Sequence, residues 1–297
     1  MPKTDLLVIL GPTASGKTKL AVAMAQQLNG EIISADSRQI YKGMDIGTGK
    51  DLEEYGSIPY HLIDNEEPGV RYNIKQYRQD FDRVYKDITS RGKYPILCGG
   101  SGLYIQAALS KMEYSFVPTN EDFRRELDHQ SEEELKKQFQ LLDRTFLEKF
   151  DSSSVKRIKR ALEIHTYLKQ NPLYQFPEND IQFKIYGIEV SREDRRKKIE
   201  QRLNTRLENG LIEEVIALRK KGISDEDLIY YGLEYKWVTL YLNGELDLDT
   251  MRKRLLVAIQ QFAKRQMTFF RSMEKKDFKI EWGTYEDLLH RIPSSLS

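Results

Sequence analysis

Apolar and polar positions along the first half of the chain fall into two alternating kinds of block. LLVIL, Leu6–Leu10, is a short unbroken apolar run followed at once by glycine, the pattern of a strand buried on both faces. EIISAD (31–36), YHLID (60–64) and YPILCGG (94–100) predict three more strands. Between them, KLAVAMAQQL after Lys17, residues 73–91 (Ile74, Tyr77, Phe81, Val84, Ile88) and GLYIQAAL after the fourth strand read as helices. Strands that alternate with helices imply crossover connections and a parallel sheet. After Val117 the pattern becomes charge-dense, helical in period and poor in β-branched residues, which predicts a helical insertion. SSSVKRIKRALEIHTYLKQ predicts a helix capped by its serine run, and FKIYGIEV (183–190) the last strand of the parallel sheet. From Ser191 to about Arg271 nearly everything is helical, with breaks near Gly210, Gly222 and Asn243-Gly244, and FKIEW is either a final edge strand or a loop.

The 297 residues are 39% hydrophobic and 31% charged, which suits a globular chain large enough for one α/β domain with an appended part. With 47 basic and 46 acidic residues the net charge is +1, so any nucleic-acid surface has to come from local clusters. A single cysteine, Cys98, excludes an intrachain disulfide and is expected to be a small core residue. The four histidines are scattered without ligand spacing, so no structural zinc site is expected. No apolar stretch reaches the length of a membrane span and the N-terminus lacks signal-peptide anatomy, so a cytoplasmic protein is expected.

The chemistry begins at GPTASGKT. Gly11, Gly16, Lys17 and Thr18 fill the phosphate-loop pattern G-x-x-x-x-G-K-[ST], placed between a strand and a helix. Backbone N–H groups of Gly11, Pro12, Thr13, Ala14, Ser15 and Gly16 (Pro12 excepted, which has none) would curl around phosphate oxygens, Lys17 would add a point charge, and the Thr18 hydroxyl would ligate Mg²⁺. Other polar groups stand at the carboxyl ends of strands, where open α/β sheets bind ligands: Asp36, Asp64 and Ser101. An aspartate beside a phosphate loop either holds Mg²⁺ through water or accepts a proton from the attacking group. YKGMDIGTGK has the composition of a mobile, substrate-holding loop. Two readings stand at this level: a small-molecule kinase with KRIKR as its lid, or another enzyme that handles a diphosphate.

GPTASGKT, ISADSRQIYKGMDIGTGK, IPYHLID, GGSGLYIQA, KRIKRALEI, RLENGLIEEV and FAKRQMTFFR, in that order, resemble the tRNA dimethylallyltransferase (tRNA isopentenyltransferase) family over most of the chain. The resemblance implies a P-loop NTPase-like α/β core, a parallel sheet flanked by helices, with an α-helical accessory domain. On this reading residues 1–117, 151–191 and 254–297 form the core, and 118–150 and 192–253 form helical tRNA-binding parts. It implies that the loop binds the diphosphate of dimethylallyl diphosphate, with Mg²⁺ at Thr18. It also implies that Asp36 is the general base, assisted by Lys17 and Thr18. Asp36, Ser37, Arg38, Gln39, Ser101, Arg124 and the run Lys156, Arg157, Ile158, Lys159, Arg160 are implied to contact the anticodon stem-loop of tRNA, bound by a monomer.

The sequence also departs from the family pattern. Tyr60-His61 stands where two histidines are common, Lys198 stands for an arginine while Arg202 keeps its neighbour, a GYKE-like turn reads GLEYKWV (232–238), and the cysteines of a C-terminal zinc finger are missing. An isopentenyltransferase acting on free adenine nucleotides, an ATP-dependent kinase and a non-enzymatic tRNA-binding module remain as alternatives.

Overall fold

The computed structural model describes residues 5–110, 114, 117–150, 152–174, 180–276 and 278–296. Six parallel strands form one sheet in the order β3-β2-β4-β1-β5-β6: β1 Leu6–Leu10, β2 Gly30–Ser34, β3 Tyr60–His61, β4 Tyr94–Gly99, β5 Phe183–Ile188 and β6 Ile280–Gly283. The register sets Leu7 beside Ile96 on one side of β1, and Val8 beside Ile185 on the other. β1 has no exposed residue, which is why it reads as an unbroken apolar run. FKIEW does supply an edge strand, so β5 is not the last of the sheet: β6 pairs parallel to it, Ile185 opposite Ile280.

The chain divides into two compact units, residues 1–110 with 180–297, and residues 111–179. In the first, α1 (Lys17–Leu28) and α13 (Tyr285–Leu296) share a core in which Leu288 and Ile292 join Leu20 and Met24. α2 (Ile74–Ser90) begins with a capping box between Asn73 and Gln76, and α3 (Gly102–Leu109) follows β4. Five further helices belong to this unit: α8 (Arg192–Glu208), α9 (Leu211–Lys220), α10 (Asp225–Tyr231), α11 (Leu233–Leu242) and α12 (Leu248–Glu274). The second unit comprises α4 (Glu121–Asp128), α5 (Glu132–Gln140), α6 (Arg144–Leu147) and α7 (Val155–Gln170) around a core of their own, with Leu127, Leu135, Phe146, Ile158 and Leu162 at its centre.

This division differs from the expected one in two places. α7 packs on the insertion helices through Ile158, Leu162 and Ile164 rather than on the sheet, and the helices of 192–253 cluster with the sheet unit. Part of the expected boundary at residue 117, residues 111–113 and 115–116, lies outside the described residues, as do residues 1–4 of the N-terminus and residue 151 at the other expected boundary. No helix among the described residues is long and apolar enough to cross a membrane.

Candidate active site

The carboxyl ends of β1, β4 and β2 lie side by side, so the segments leaving them meet at one place. β1 runs into the loop Gly11–Gly16, whose backbone turns left-handed at Ala14 (φ 62°) and again at Gly16 (φ 86°), immediately before α1. Gly16 is the position where a side chain would be strained, and it starts the helix whose N-terminal N–H groups face the loop. Two residues past β2 stands Asp36, whose Oδ1 accepts the Arg38 N–H at 3.0 Å, an Asx turn that fixes the chain at DSRQ. Ser101, after β4, spends its hydroxyl on this segment: Oγ accepts the Ser37 N–H at 2.9 Å and lies 3.2 Å from Ser37 Oγ.

Thr13, Ala14, Lys17, Thr18, Asp36, Arg38 and Gln39 line one cavity in the first unit. Burial pushes the Lys17 ammonium below its ordinary value, and the charge of Asp36 is the main opposing influence. Cys98 lines the same cavity, and burial pushes its thiol up to about 12, so it is not a nucleophile near neutral pH.

Several lining residues were not singled out from the sequence as site residues. Glu234, the third residue of the GLEYKWV departure, is 1% exposed and binds two guanidinium groups, Arg38 through Oε2 and Arg206 at 2.9 Å through Oε1. Burial alone would lower Arg38, but Glu234 outweighs it and raises the guanidinium, whereas Arg206 stays lowered by its burial. Arg202 pairs with Asp51, and both line the cavity. Gln266, on α12, accepts the Thr13 N–H at 2.8 Å and donates to the Gly100 carbonyl at 2.9 Å, tying the phosphate loop to the end of β4. Its only sequence signal is its place inside the FAKRQMTFFR motif.

YKGMDIGTGK is tied down by tertiary contacts. Glu214 of α9 accepts the N–H groups of Asp45, Ile46 and Gly47 at 2.8, 2.7 and 3.0 Å, and the Tyr235 hydroxyl at 2.8 Å. Lys50, 1% exposed, donates to the Tyr41 carbonyl at 2.7 Å, to Asp45 at 2.6 Å and to Asp64. Asp64 is therefore an ion-pair partner of that loop and does not line the cavity. Gly49 (φ 62°) packs so closely under Arg206 that a Cβ would fall 1.8 Å from its Nη2.

The remaining expected contacts lie in the second unit. Arg124 holds Glu163 through two bonds of 2.9 and 3.1 Å, and Arg160 holds the same carboxylate and the carbonyls of Tyr114 and Val117. Burial pushes Glu163 up, but the Asn120 N–H and these guanidinium groups outweigh it and hold the carboxyl below its usual range. Lys159 pairs with Asp128 at 2.6 Å, Arg157 bonds the Ser153 hydroxyl at 2.7 Å, Lys156 is exposed, and Ile158 turns its side chain into the core of the unit.

The model of the family described as IPP transferase matches residues 39–273. The chain belongs to the IPP transferase family. Its IPP transferase relatives include tRNA dimethylallyltransferase 1 of Parabacteroides distasonis, 50% identical over 289 residues that cover 95% of this chain and 93% of that one. Another is tRNA dimethylallyltransferase 2 of Bacteroides fragilis, 49% identical over 286 residues with the same coverage. Among solved structures, the tRNA isopentenylpyrophosphate transferase from Bacillus halodurans is 31% identical with a TM-score of 0.72, covering 99% of this chain and 97% of that one. The family match begins at Gln39, after the phosphate loop and Asp36.

Proposed function

We propose that this IPP transferase moves a dimethylallyl group from dimethylallyl diphosphate to N6 of the adenosine just 3′ of the anticodon in tRNA, releasing diphosphate. The observation that carries this reading is the meeting of the phosphate loop and a strand-end aspartate in one cavity, in a chain half identical to a protein named tRNA dimethylallyltransferase. The bond between the allylic carbon and the bridging oxygen breaks and its electron pair leaves with the diphosphate. The bond from N6 to that carbon forms, and the N6 proton passes to the Asp36 carboxylate. The N6 lone pair is delocalised into the ring, so a base acts once bonding to carbon has made N6 acidic, an assistance of about 10²–10⁴-fold. Backbone N–H groups of the loop and Lys17 stabilise charge growing on the leaving group. An anion in the cavity also favours the charged form of Lys17, which burial disfavours.

The donor set suits Mg²⁺. Thr18 and Asp36 line one cavity, the Thr18 hydroxyl has no protein hydrogen-bond partner among the described residues, and those residues form no cluster of three or more His, Cys, Asp or Glu that would favour a protein-built cage. Thr18 would hold the ion, which would neutralise charge on the diphosphate oxygens. The adenosine has to leave its stack to reach Asp36. Arg38 and Gln39 line the cavity and Ser37, held by Ser101, adjoins them, so these four would receive it, and the chain would act as a monomer.

The test is incubation with Mg²⁺, radiolabelled dimethylallyl diphosphate, and either an anticodon stem-loop or AMP, with ATP consumption followed alongside. Label in the stem-loop alone is expected. Asp36→Ala should lower its rate by about 10²–10⁴-fold with little change in RNA affinity. Label in AMP would move the activity to free nucleotides, and ATP consumption without label would overturn the reading.

A further inference from the structure

Helix α8 presents two arginines, one turn apart, to the catalytic cavity, and they are held in opposite ways. Arg206 is paired with Glu234, which is buried and also grips Arg38. Arg202 is paired with Asp51 through Nη2 and Oδ2, and this pair is open to solvent, its side chains 39% and 46% exposed. An exposed pair of this kind is weak enough to be exchanged for another anion. Both guanidinium groups lie over Gly49, where a Cβ would fall 1.8 Å from Arg206 Nη2 and 3.0 Å from Arg202 Nη2. Lys50, next in the chain, is pinned by Asp45, Asp64 and the Tyr41 carbonyl, so the backbone that carries Asp51 is held in place.

Asp51 is itself set unusually. It precedes the helical turn Leu52–Tyr55 at the capping position, where an aspartate ordinarily accepts N–H groups of the turn, yet its side chain makes no such bond. Its backbone lies in the left-handed region (φ 45°, ψ 49°), which a side chain disfavours. The carboxylate is spent on Arg202 instead. Glu54 feels the same neighbourhood: burial raises its carboxyl, Asp51 raises it further, and Arg202 and then Lys17 oppose them. Lys17, Arg38, Arg202 and Arg206 line the cavity against the acids Asp36, Asp51 and Glu234. Asp36 is the base and Glu234 the anchor of two guanidinium groups, whereas Asp51 opposes any anion that enters.

That opposition has a use after transfer. The electron pair of the broken bond leaves with the diphosphate, so the product carries more negative charge than the ester did and is held more tightly by the same cations. We infer that Asp51 competes with diphosphate for Arg202: it holds the guanidinium in the empty cavity, yields it to the bound diphosphate and takes it back as the product leaves, which speeds release. The inference rests on the proposed function for the identity of the anion.

The test measures, by calorimetry, the affinity for inorganic diphosphate with Mg²⁺ of the unaltered chain, Asp51→Asn, Asp51→Glu, Arg202→Gln, and Asp51→Asn combined with Arg202→Gln. Asp51→Asn is expected to bind diphosphate about 3–5-fold more tightly, whereas Asp51→Glu, which keeps the charge, stays within about twofold of the unaltered chain. With Arg202→Gln already present, Asp51→Asn should change the affinity by less than about twofold, because the group competed for is gone. In label transfer at saturating substrates, Asp51→Asn should give a burst of about one product per enzyme followed by a slower steady rate than that of the unaltered chain, since release then limits turnover. Equal or weaker diphosphate binding by Asp51→Asn overturns the inference. So does the same tightening in the absence of Arg202, which would make Asp51 a source of repulsion alone. If the unaltered chain binds no diphosphate, the proposed function falls and the inference with it, and that is read before any variant is compared.

Discussion

Glu234 and Glu163 are built alike. Each side chain is 1% exposed, and each grips two guanidinium groups, Arg38 with Arg206 in one case and Arg124 with Arg160 in the other. They differ in what is left over. Around Glu163 the donors are spent inside the second unit: Arg160 also bonds the Tyr114 and Val117 carbonyls, and the Asn120 N–H caps the same carboxylate at 2.7 Å. Around Glu234 the guanidinium groups line a cavity with Asp36 and Lys17, and Arg38 Nε is buried with no protein partner. A buried ionic triad becomes a binding element when it leaves donors aimed at open space, and a fastening when it leaves none. The charge count of the two regions does not distinguish them.

The sharpest way to break this comparison is to neutralise each acid at constant shape. Glu234→Gln is expected to lower kcat/KM for label transfer about 10²-fold, because Arg38 and Arg206 lose the group that positions them. It should also lower unfolding stability by about 3 kcal/mol, since two buried cations lose their counter-charge. Transfer kinetics and thermal unfolding on the same preparation check both, and a stability loss with unaltered kinetics would make this triad a fastening too. Glu163→Gln is expected to cost less, about 2 kcal/mol, because Arg124 and Arg160 are 38% and 26% exposed and recover part of their hydration. Its kcat at saturating RNA should stay within about twofold. A large fall in kcat would show that Glu163 serves the reaction, and the two triads would no longer differ in kind.

These triads also mark where sequence reading reaches its limit. The phosphate loop, Asp36 and the buried strands were legible because each is local: glycine spacing, an apolar run and a polar residue at a strand end are all visible within ten residues. Glu234 lies 196 residues from Arg38, and Gln266 lies 253 from Thr13, so no window of sequence shows either bond. Glycines and hydroxyls in YKGMDIGTGK suggested mobility because the three N–H groups that Glu214 accepts, and the carboxylates around Lys50, are set by tertiary contacts. The same limit applies to KRIKR. A basic run reads as a nucleic-acid surface, yet Arg160 is tied to an acid three residues on, and Lys159 to one 31 residues back. α13 was not expected at all. Its Leu288 and Ile292 meet a core assembled from residues far earlier in the chain, and Pro293 inside it argues locally against a helix.

A third acid supplies the reference for a fastening with no ligand to serve. Glu31 on β2 accepts from both terminal nitrogens of Arg91 and lies 2.7 Å from His61 Nε2. The Arg91 hydrogen bonds hold its carboxyl at about 2, burial opposes them, and His61 adds to them. The folded value lies below the ordinary 4.5, so the stability it contributes is whole above pH 4.5 and is lost as pH falls through about 2. Arg91 is 42% exposed, and solvent screening reduces the contribution to about 1–2 kcal/mol. Glu31→Gln should therefore unfold more easily than the unaltered chain at pH 7, and the gap between the two should close on acidification, with transfer kinetics unchanged. Glu163→Gln should close its gap in the same direction, because its carboxyl is also depressed. Glu234→Gln is separated from both by the kinetic loss that remains at every pH at which the protein is folded. If acid titration left the Glu31→Gln gap constant, the ion pair would not be its cause, and ionic fastening could not serve as the baseline against which the Glu234 triad is judged.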